Sequence, residues 1–159
     1  MSTSRAGRHS TASRKDVAAM LVPLAQAFTT AELPILRAHN LTMWAYIVLI
    51  ALTDSSVRSQ TRLANEIGAD KTRLISVLDD LQGRGLIERY PDSADRRVHL
   101  LSVTAAGEGL CRAVQTEIQR REELTLSRLE PRDRAGFLRA LGVLSSLPVE
   151  EIAGEQTSV

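Results

Sequence analysis

The chain has 159 residues, a formal net charge of +1 and one cysteine, Cys111. This length allows one compact domain, or a small domain with an added dimerisation layer, and the near-neutral charge gives little support for a nucleic-acid partner. The lone cysteine excludes an intrachain disulfide and a cysteine-based zinc site, and we interpret it as a buried structural thiol. Because no metal-ligand spacing, nucleophile–base pair or phosphate-binding glycine loop is evident, we expect neither an enzyme nor a metal or other cofactor.

The N-terminal region divides into a tail and a helix. Residues 1–13 are rich in Ser and Thr, carry basic but no acidic side chains, and are predicted to be a disordered tail. Apolar residues from Val17 to Phe28 recur at helical spacing, and Pro23 and Pro34 predict a kink or a late start of this helix. We find no signal-peptide core and no apolar run of transmembrane length, so we expect a cytoplasmic protein without a membrane partner.

Residues 59–82 predict two short helices that meet at a tight turn. The first begins after an N-cap at Ser59 and ends at Gly68, and the second follows an Asp70 cap and runs to about Gln82. The exposed side of the second helix is polar and cationic in its first half, and it carries Lys71, Thr72, Arg73 and Ser76. These side chains suit a helix whose first turns approach bases and phosphates in a DNA major groove, although an ordinary solvated helix face would show the same pattern.

A β-hairpin is predicted directly after these helices, and it favours the DNA-binding interpretation. Residues 86–90 and 98–103 are apolar and suited to strands, and a turn rich in Pro, Asp and Ser separates them. A hairpin in this place is the wing of a winged helix-turn-helix. Its tip carries Asp95, Arg96 and Arg97, so an arginine would reach the neighbouring minor groove and Asp95 would hold one guanidinium by a charge-assisted hydrogen bond.

Two further helices are predicted after the hairpin. The first follows a Thr104 cap and runs to about Leu129, with an apolar side at Leu110, Val114, Ile118 and Leu124. The second begins at Pro131, and its apolar side comprises Phe137, Leu138, Leu141, Leu144 and Leu147. A small winged domain offers these side chains no obvious place of burial, so a second subunit would cover them; the alternative is that they cover the core of one monomer. Residues 149–159 are predicted to be a flexible tail.

Fragments of the sequence, in this order, resemble the MarR family of bacterial transcription regulators. They are LTMWAYIVL at 41–49, LA and IG at 63–64 and 67–68, DKTRL at 70–74, GLIER at 85–89, DRR at 95–97 and VTAAG at 103–107. The resemblance implies a mainly α fold with a small β-wing (α+β), a DNA-binding domain at 41–104, and dimerisation helices at 14–40 and 105–148. A twofold dimer would present two recognition helices about one DNA turn apart.

The resemblance also implies roles for individual side chains. Base or phosphate contacts fall to Lys71, Thr72, Arg73 and Ser76, the minor-groove contact to Arg97, and a phosphate contact to Arg96, with Asp95 orienting the wing. We add Ser59, at the start of the first helix, to this DNA-binding set. Many relatives have Thr and Arg where this chain has Ile75 and Ser76, so their base preference is not carried over.

We therefore expect a homodimeric regulator that binds a pseudo-palindromic site in double-stranded DNA and represses its own or a neighbouring operon. In the resembled family, small phenolic or aromatic effectors bind near the junction of the first two helices, where His39, Trp44 and Tyr46 are the candidate lining here. The alternative is a winged-helix module that binds another protein without sequence-specific DNA binding, since that fold also serves as a docking scaffold.

Overall fold

A computed structural model of the chain describes residues 15–54 and 58–153, so the predicted tail at 1–13 and the residues after 153 lie outside the described part. The described elements are helices α1 (Val17–Ala38), α2 (Met43–Asp54), α3 (Gln60–Ile67), α4 (Lys71–Gly83), α5 (Ala105–Leu126), α6 (Pro131–Ser145) and α7 (Val149–Ala153), with strands β1 (Arg58–Ser59), β2 (Ile87–Pro91) and β3 (His99–Val103). The prediction of a mainly helical winged helix-turn-helix with a small β-wing is confirmed.

Local capping sets the helix boundaries in the winged domain. Ser59 Oγ accepts a hydrogen bond from the Arg62 backbone N–H at 3.2 Å, and Asp70 Oδ1 accepts one from Arg73 N–H at 2.9 Å. Gly68 ends α3 in the left-handed region, with φ of 64°, where glycine has no steric penalty. These caps satisfy backbone donors that a helix start leaves free, and they lie where the sequence predicts them.

The sheet has three antiparallel strands in the order β1-β3-β2. Its hairpin pairs Ile87 with Val103 and Pro91 with His99, and β1 adds Arg58 opposite Leu101. The sequence predicts β2 and β3 but not β1, because two residues are too few to show an alternating pattern. Strand β1 ties the start of α3 to the wing, so helix and hairpin share one rigid base.

One hydrophobic core lies under the winged domain. It is formed by α2, α3, α4, α5 and the sheet, and its fully buried members include Leu49, Leu52, Leu63, Leu78, Leu81 and Leu101. On α5 the inward side differs from the prediction: Leu124 is 64% exposed, whereas Val114 and Ile118 are buried. The reason is the helical period, since Glu122 and Leu126, four and eight residues after Ile118, take the inward positions.

The terminal helices leave most of their apolar side chains exposed. Leu36 is the one buried residue of α1, and α6 has none. The exposed residues are Val17, Met20, Leu21, Leu24, Leu138, Leu141 and Leu144. If these helices only covered the core of one monomer, the apolar side chains predicted to make contacts would be buried. Most of them are exposed, so that alternative does not explain them.

The terminal segments differ from expectation in three ways. Helix α1 begins at Val17 with Pro23 and Pro34 inside it, so it does not start late. It is also long and apolar enough to cross a membrane, with 22 residues and a mean hydropathy of 1.3, because Glu32 and Arg37 are its only charged residues. That is weak evidence for a span, since the core helices of soluble proteins and signal sequences near an N-terminus pass the same test. The predicted C-terminal tail contains the short helix α7.

Candidate DNA-binding surface and effector region

The first turns of α4 present the predicted polar residues to the outside. Lys71, Thr72, Arg73 and Ser76 are all exposed. On the other side of the helix Leu74, Leu78 and Leu81 are buried, which fixes its orientation on the core. The N-terminal backbone N–H groups of α4 add a partial positive charge at the same end, and a helix start of this kind attracts phosphate.

The wing tip is stabilised through its backbone. Asp95 Oδ1 accepts a hydrogen bond from the Arg97 backbone N–H at 3.0 Å, and the Asp95 carbonyl accepts one from Val98 N–H at 2.9 Å. Asp95 Oδ1 is thus engaged by a turn of the main chain, and the expected contact of Asp95 with an arginine side chain stays a prediction. The side chains of Arg96 and Arg97 are both exposed.

A groove of about 500 Å³ lies between the starts of α3 and α4 and the base of the wing, and it brings together three residues of the predicted DNA-binding set, Ser59, Lys71 and Arg97. The other lining residues are neutral apart from His99, and none of the lining residues is acidic. Two cations thus face one space whose lining holds no carboxylate, so this groove favours an anion.

Arg73 makes a contact that the sequence does not reveal. Its Cζ lies 5.3 Å from the centroid of the Trp44 ring, and its Nε lies 3.6 Å from Asp70 Oδ2. Trp44, a candidate effector-lining residue, thus contacts the exposed end of α4.

The three candidate effector residues point to different parts of the molecule. His39 Nε2 lies 2.9 Å from Glu117 Oε1 on α5, Tyr46 is buried in the core, and Trp44 contacts α4. Trp44 and Tyr46 are two residues apart on α2, which at about 100° per residue puts them on nearly opposite sides of the helix. Effector binding by these residues stays a prediction, and a single pocket lined by all three does not follow from their positions.

Two carboxyl groups near Tyr46 were missed by the sequence-based interpretation. Burial raises the pKa of Glu122 on α5, and burial together with the Glu122 charge raises the pKa of Glu32 on α1. Burial and the charges of Cys111, Glu32 and Glu122 raise the pKa of Tyr46 to about 12. The helical spacing of α5 partly predicts the inward position of Glu122, since it lies four residues after the buried Ile118.

We expect Glu122→Gln to change how stability depends on pH. A carboxyl whose folded pKa is raised binds its proton more tightly in the folded state, so stability is lost as pH rises from the ordinary value of 4.5 through the raised pKa. The amide cannot ionise, and it also removes the negative charge that raises the pKa of Glu32. Denaturant unfolding between pH 4 and 8 should give a flatter profile for the variant, whereas Glu88→Gln, at an exposed position on β2, should retain the wild-type profile. Parallel wild-type and Glu122→Gln profiles would contradict this.

Two arginines connect the recognition helix to its surroundings. Arg84 Nη1, just after α4, donates to the Asn40 carbonyl at 2.8 Å and to Asp80 Oδ2 at 3.2 Å. Arg89 Nη2 on β2 donates to Asp79 Oδ1 at 2.7 Å. The Asp80–Arg84 spacing of four residues is a visible helix-pair signal, but the contact with the turn before α2 is not. These contacts hold the C-terminal end of α4 against α2 and the wing.

The winged domain is similar in sequence to known transcription regulators. The model of the MarR family matches residues 39–98. The repressor NicR of Pseudomonas putida is 28% identical over 102 residues, and the match covers 64% of this chain and 65% of NicR, slightly less than two thirds of that protein. The segment that matches the family model, residues 39–98, contains α3, α4 and the wing arginines. Over this segment the chain is similar to the MarR family of transcription regulators.

Solved structures of MarR proteins share the fold. Wild-type MarR from Escherichia coli, in its apo form, has a TM-score of 0.75 at 20% identity, covering 86% of this chain and 99% of that chain. NadR in complex with 4-hydroxyphenylacetate has a TM-score of 0.67 at 23% identity, covering 93% and 100%. The similarity therefore extends beyond the family-model match to the flanking helices.

Within this MarR fold, Cys111 lies on the buried side of α5. Burial raises the pKa of its thiol, which keeps the thiol protonated and unreactive at neutral pH, because the thiolate is the nucleophile. Its surroundings thus agree with the structural role expected from the sequence.

Proposed function

We propose that this chain is a MarR-family regulator, a cytoplasmic homodimer that binds double-stranded DNA in a sequence-specific way and represses its own or a neighbouring operon. The observation that carries the proposal is the groove that Lys71 at the start of α4 and Arg97 of the wing both line, together with no acidic residue. The relative NicR is named a transcriptional repressor, which supports the regulatory role.

Each part of this surface has a distinct role in the proposal. Helix α4 enters the major groove, where Thr72, Arg73 and Ser76 face base edges and Lys71 binds phosphate. Arg97 enters the adjacent minor groove, and Arg96 contacts phosphate. Ser59 uses its oxygen as the α3 cap and keeps its O–H to donate to a phosphate. Asp95 acts through the wing backbone, because its carboxylate holds the Arg97 N–H.

Direct DNA binding tests this proposal. A duplex pool from random sequence is selected on the wild-type protein, and the recovered duplex is compared with a scrambled one in electrophoretic shifts over a range of salt. We expect a preference for the selected duplex, and an affinity that falls steeply with salt, because each neutralised phosphate releases counterion. Equal binding of both duplexes, or none, would favour the protein-interaction module instead.

The dimer is supported by the exposed apolar sides of α1 and α6. Met20, Leu21, Leu138 and Leu141 are each more than 40% exposed in the single chain, and such contiguous apolar surface usually marks an interface. A second copy of the same surface would cover it by twofold symmetry, as is usual for homodimers. Two recognition helices would then read a pseudo-palindromic site.

We expect Leu141→Ala to weaken dimerisation about thirtyfold. Leu141 is 43% exposed in the single chain, so covering it would add about 1 kcal/mol per copy, at about 0.8 kcal/mol per buried methylene, and each dimer would lose two copies. Sedimentation equilibrium measures the change. The matched control is Ile75→Ala, which truncates an equally exposed apolar residue on α4 and should leave the dimer unchanged. Equal effects of the two variants would argue against this interface.

Release by a small aromatic effector is the regulatory part of the proposal. NadR was crystallised with 4-hydroxyphenylacetate, and the region around His39, Trp44 and Tyr46 offers aromatic and hydrogen-bonding groups for such a ligand. The effector must bind the DNA-incompetent state more tightly to shift the equilibrium. Titrating aromatic acids against the fluorescence of Trp44, the only tryptophan of the sequence, should give a saturable change for at least one; a flat response to all would contradict this part.

A further inference from the structure

Arg73 and Trp44 bring together two elements that are distant in sequence, the exposed start of α4 and the start of α2. The Arg73 Cζ lies 5.3 Å from the ring centroid of Trp44, within the range of about 6 Å in which the ring quadrupole attracts a cation. Tryptophan is the aromatic residue for which this attraction is strongest. The ring is half-buried, so α2 holds it in place while one part remains accessible to Arg73.

A second contact restricts the same arginine. Asp70 uses Oδ1 to accept the Arg73 backbone N–H at 2.9 Å, and its Oδ2 lies 3.6 Å from Arg73 Nε. The helix cap, the carboxylate and the indole ring therefore limit the rotamers of one side chain. These contacts engage Nε and Cζ, so the terminal NH2 groups are left to donate to a base or phosphate. The side chain remains 55% exposed.

We propose that Trp44 is a positioning residue that orders Arg73 before DNA is bound. This inference rests on the proposed DNA-binding function and adds a determinant of its specificity. A long side chain that is ordered only on binding lowers affinity by about twofold to tenfold, and a guanidinium ordered in advance avoids that loss. Arginine discriminates bases by paired hydrogen bonds to guanine, and these need a fixed orientation. Loss of the ring therefore reduces base preference as well as affinity.

A double-mutant cycle tests this role. The variants are Trp44→Leu, Arg73→Ala and the two combined, and each is measured against the duplex selected by the wild-type protein and against a scrambled duplex. We expect Trp44→Leu to lower affinity for the selected duplex by about threefold to tenfold and to lower the ratio between the two duplexes. In the Arg73→Ala background the same change should have no further effect. Trp44→Phe, which keeps a weaker ring, should give an intermediate loss.

A purely structural role for Trp44 gives a different pattern. Equal losses from Trp44→Leu in the wild-type and Arg73→Ala backgrounds, or an unchanged duplex ratio, would overturn the inference while leaving DNA binding intact. Selection of no duplex by the wild-type protein would overturn the proposed function together with this inference. Circular dichroism verifies the fold of each variant, and Trp44→Phe supplies the comparison if Trp44→Leu does not fold.

Discussion

Replacing Arg97 by Ala is expected to reduce affinity for the selected duplex about a hundredfold. A hydrogen bond to a charged group contributes about 1.5–3 kcal/mol, each 1.4 kcal/mol is a factor of ten, and a dimer presents two copies. The wing backbone should be unaffected, because Asp95 binds the main-chain N–H of this residue rather than its side chain. The expected loss therefore reports the guanidinium itself.

The loss of affinity caused by Arg97→Ala should depend on duplex sequence and on salt in a characteristic way. Narrow minor grooves attract arginine through their potential, so affinity should fall for the selected and the scrambled duplex alike, and the dependence on salt should become shallower. Arg73→Ala, at a position assigned to base edges, should instead lower the ratio between the duplexes. Shift titrations at several salt concentrations measure both quantities.

Arg112→Ala is the matched control for Arg97→Ala. Arg112 is an exposed arginine on α5, outside the groove formed by α3, α4 and the wing, so its replacement removes the same charge without a proposed DNA contact. We expect an affinity within about twofold of wild type, because exposed charges separated by more than about 10 Å are largely screened at ordinary salt. Equal losses for Arg97→Ala and Arg112→Ala would show that net charge, and not the wing, carries the binding.

The parts of the fold that could be predicted are those encoded over a few neighbouring residues. Ser59, Asp70 and Thr104 each cap the helix that follows them, because a short polar side chain reaches backbone donors two or three residues ahead. The two short apolar runs and the turn between them predict the hairpin in the same local way. These local signals place the candidate DNA-binding residues on the surface.

The contacts between these elements could not be predicted, because they join residues far apart in the chain. Arg84 binds the Asn40 carbonyl 44 residues away, and Trp44 meets Arg73 across two helices. Nothing in a local pattern distinguishes a tryptophan that lines a pocket from one that orders an arginine. The backbone contact of Asp95 was not predicted either, since both a guanidinium and a backbone N–H are within reach of an aspartate in this turn.

Gly107→Ala is expected to destabilise the protein strongly, because α5 crosses the start of β2 without room for a side chain. A Cβ at this position would lie far inside van der Waals contact of the Leu86 carbonyl oxygen and 2.8 Å from Val103 Cγ2. The Leu86 carbonyl accepts the Thr104 N–H at 3.0 Å, and Thr104 Oγ1 donates to the Gly85 carbonyl at 2.8 Å. Thr104, the residue before α5, therefore binds the obstructing oxygen and the carbonyl next to it, so this oxygen cannot move away alone.

The expected cost of Gly107→Ala is about 3 kcal/mol, the upper end of what overpacking usually costs, and it should lower the melting temperature by about 6–12 °C in a chain of this size. Gly109→Ala is the matched control on the same helix. A Cβ there has no neighbour within 4 Å, so the higher helix propensity of alanine should raise stability by up to about 1 kcal/mol. Opposite signs for two identical substitutions, two residues apart, would establish that backbone proximity fixes the wing against α5. A stabilising Gly107→Ala would show that this junction yields, and the close packing of α5 against the wing would then not be what holds the wing in place.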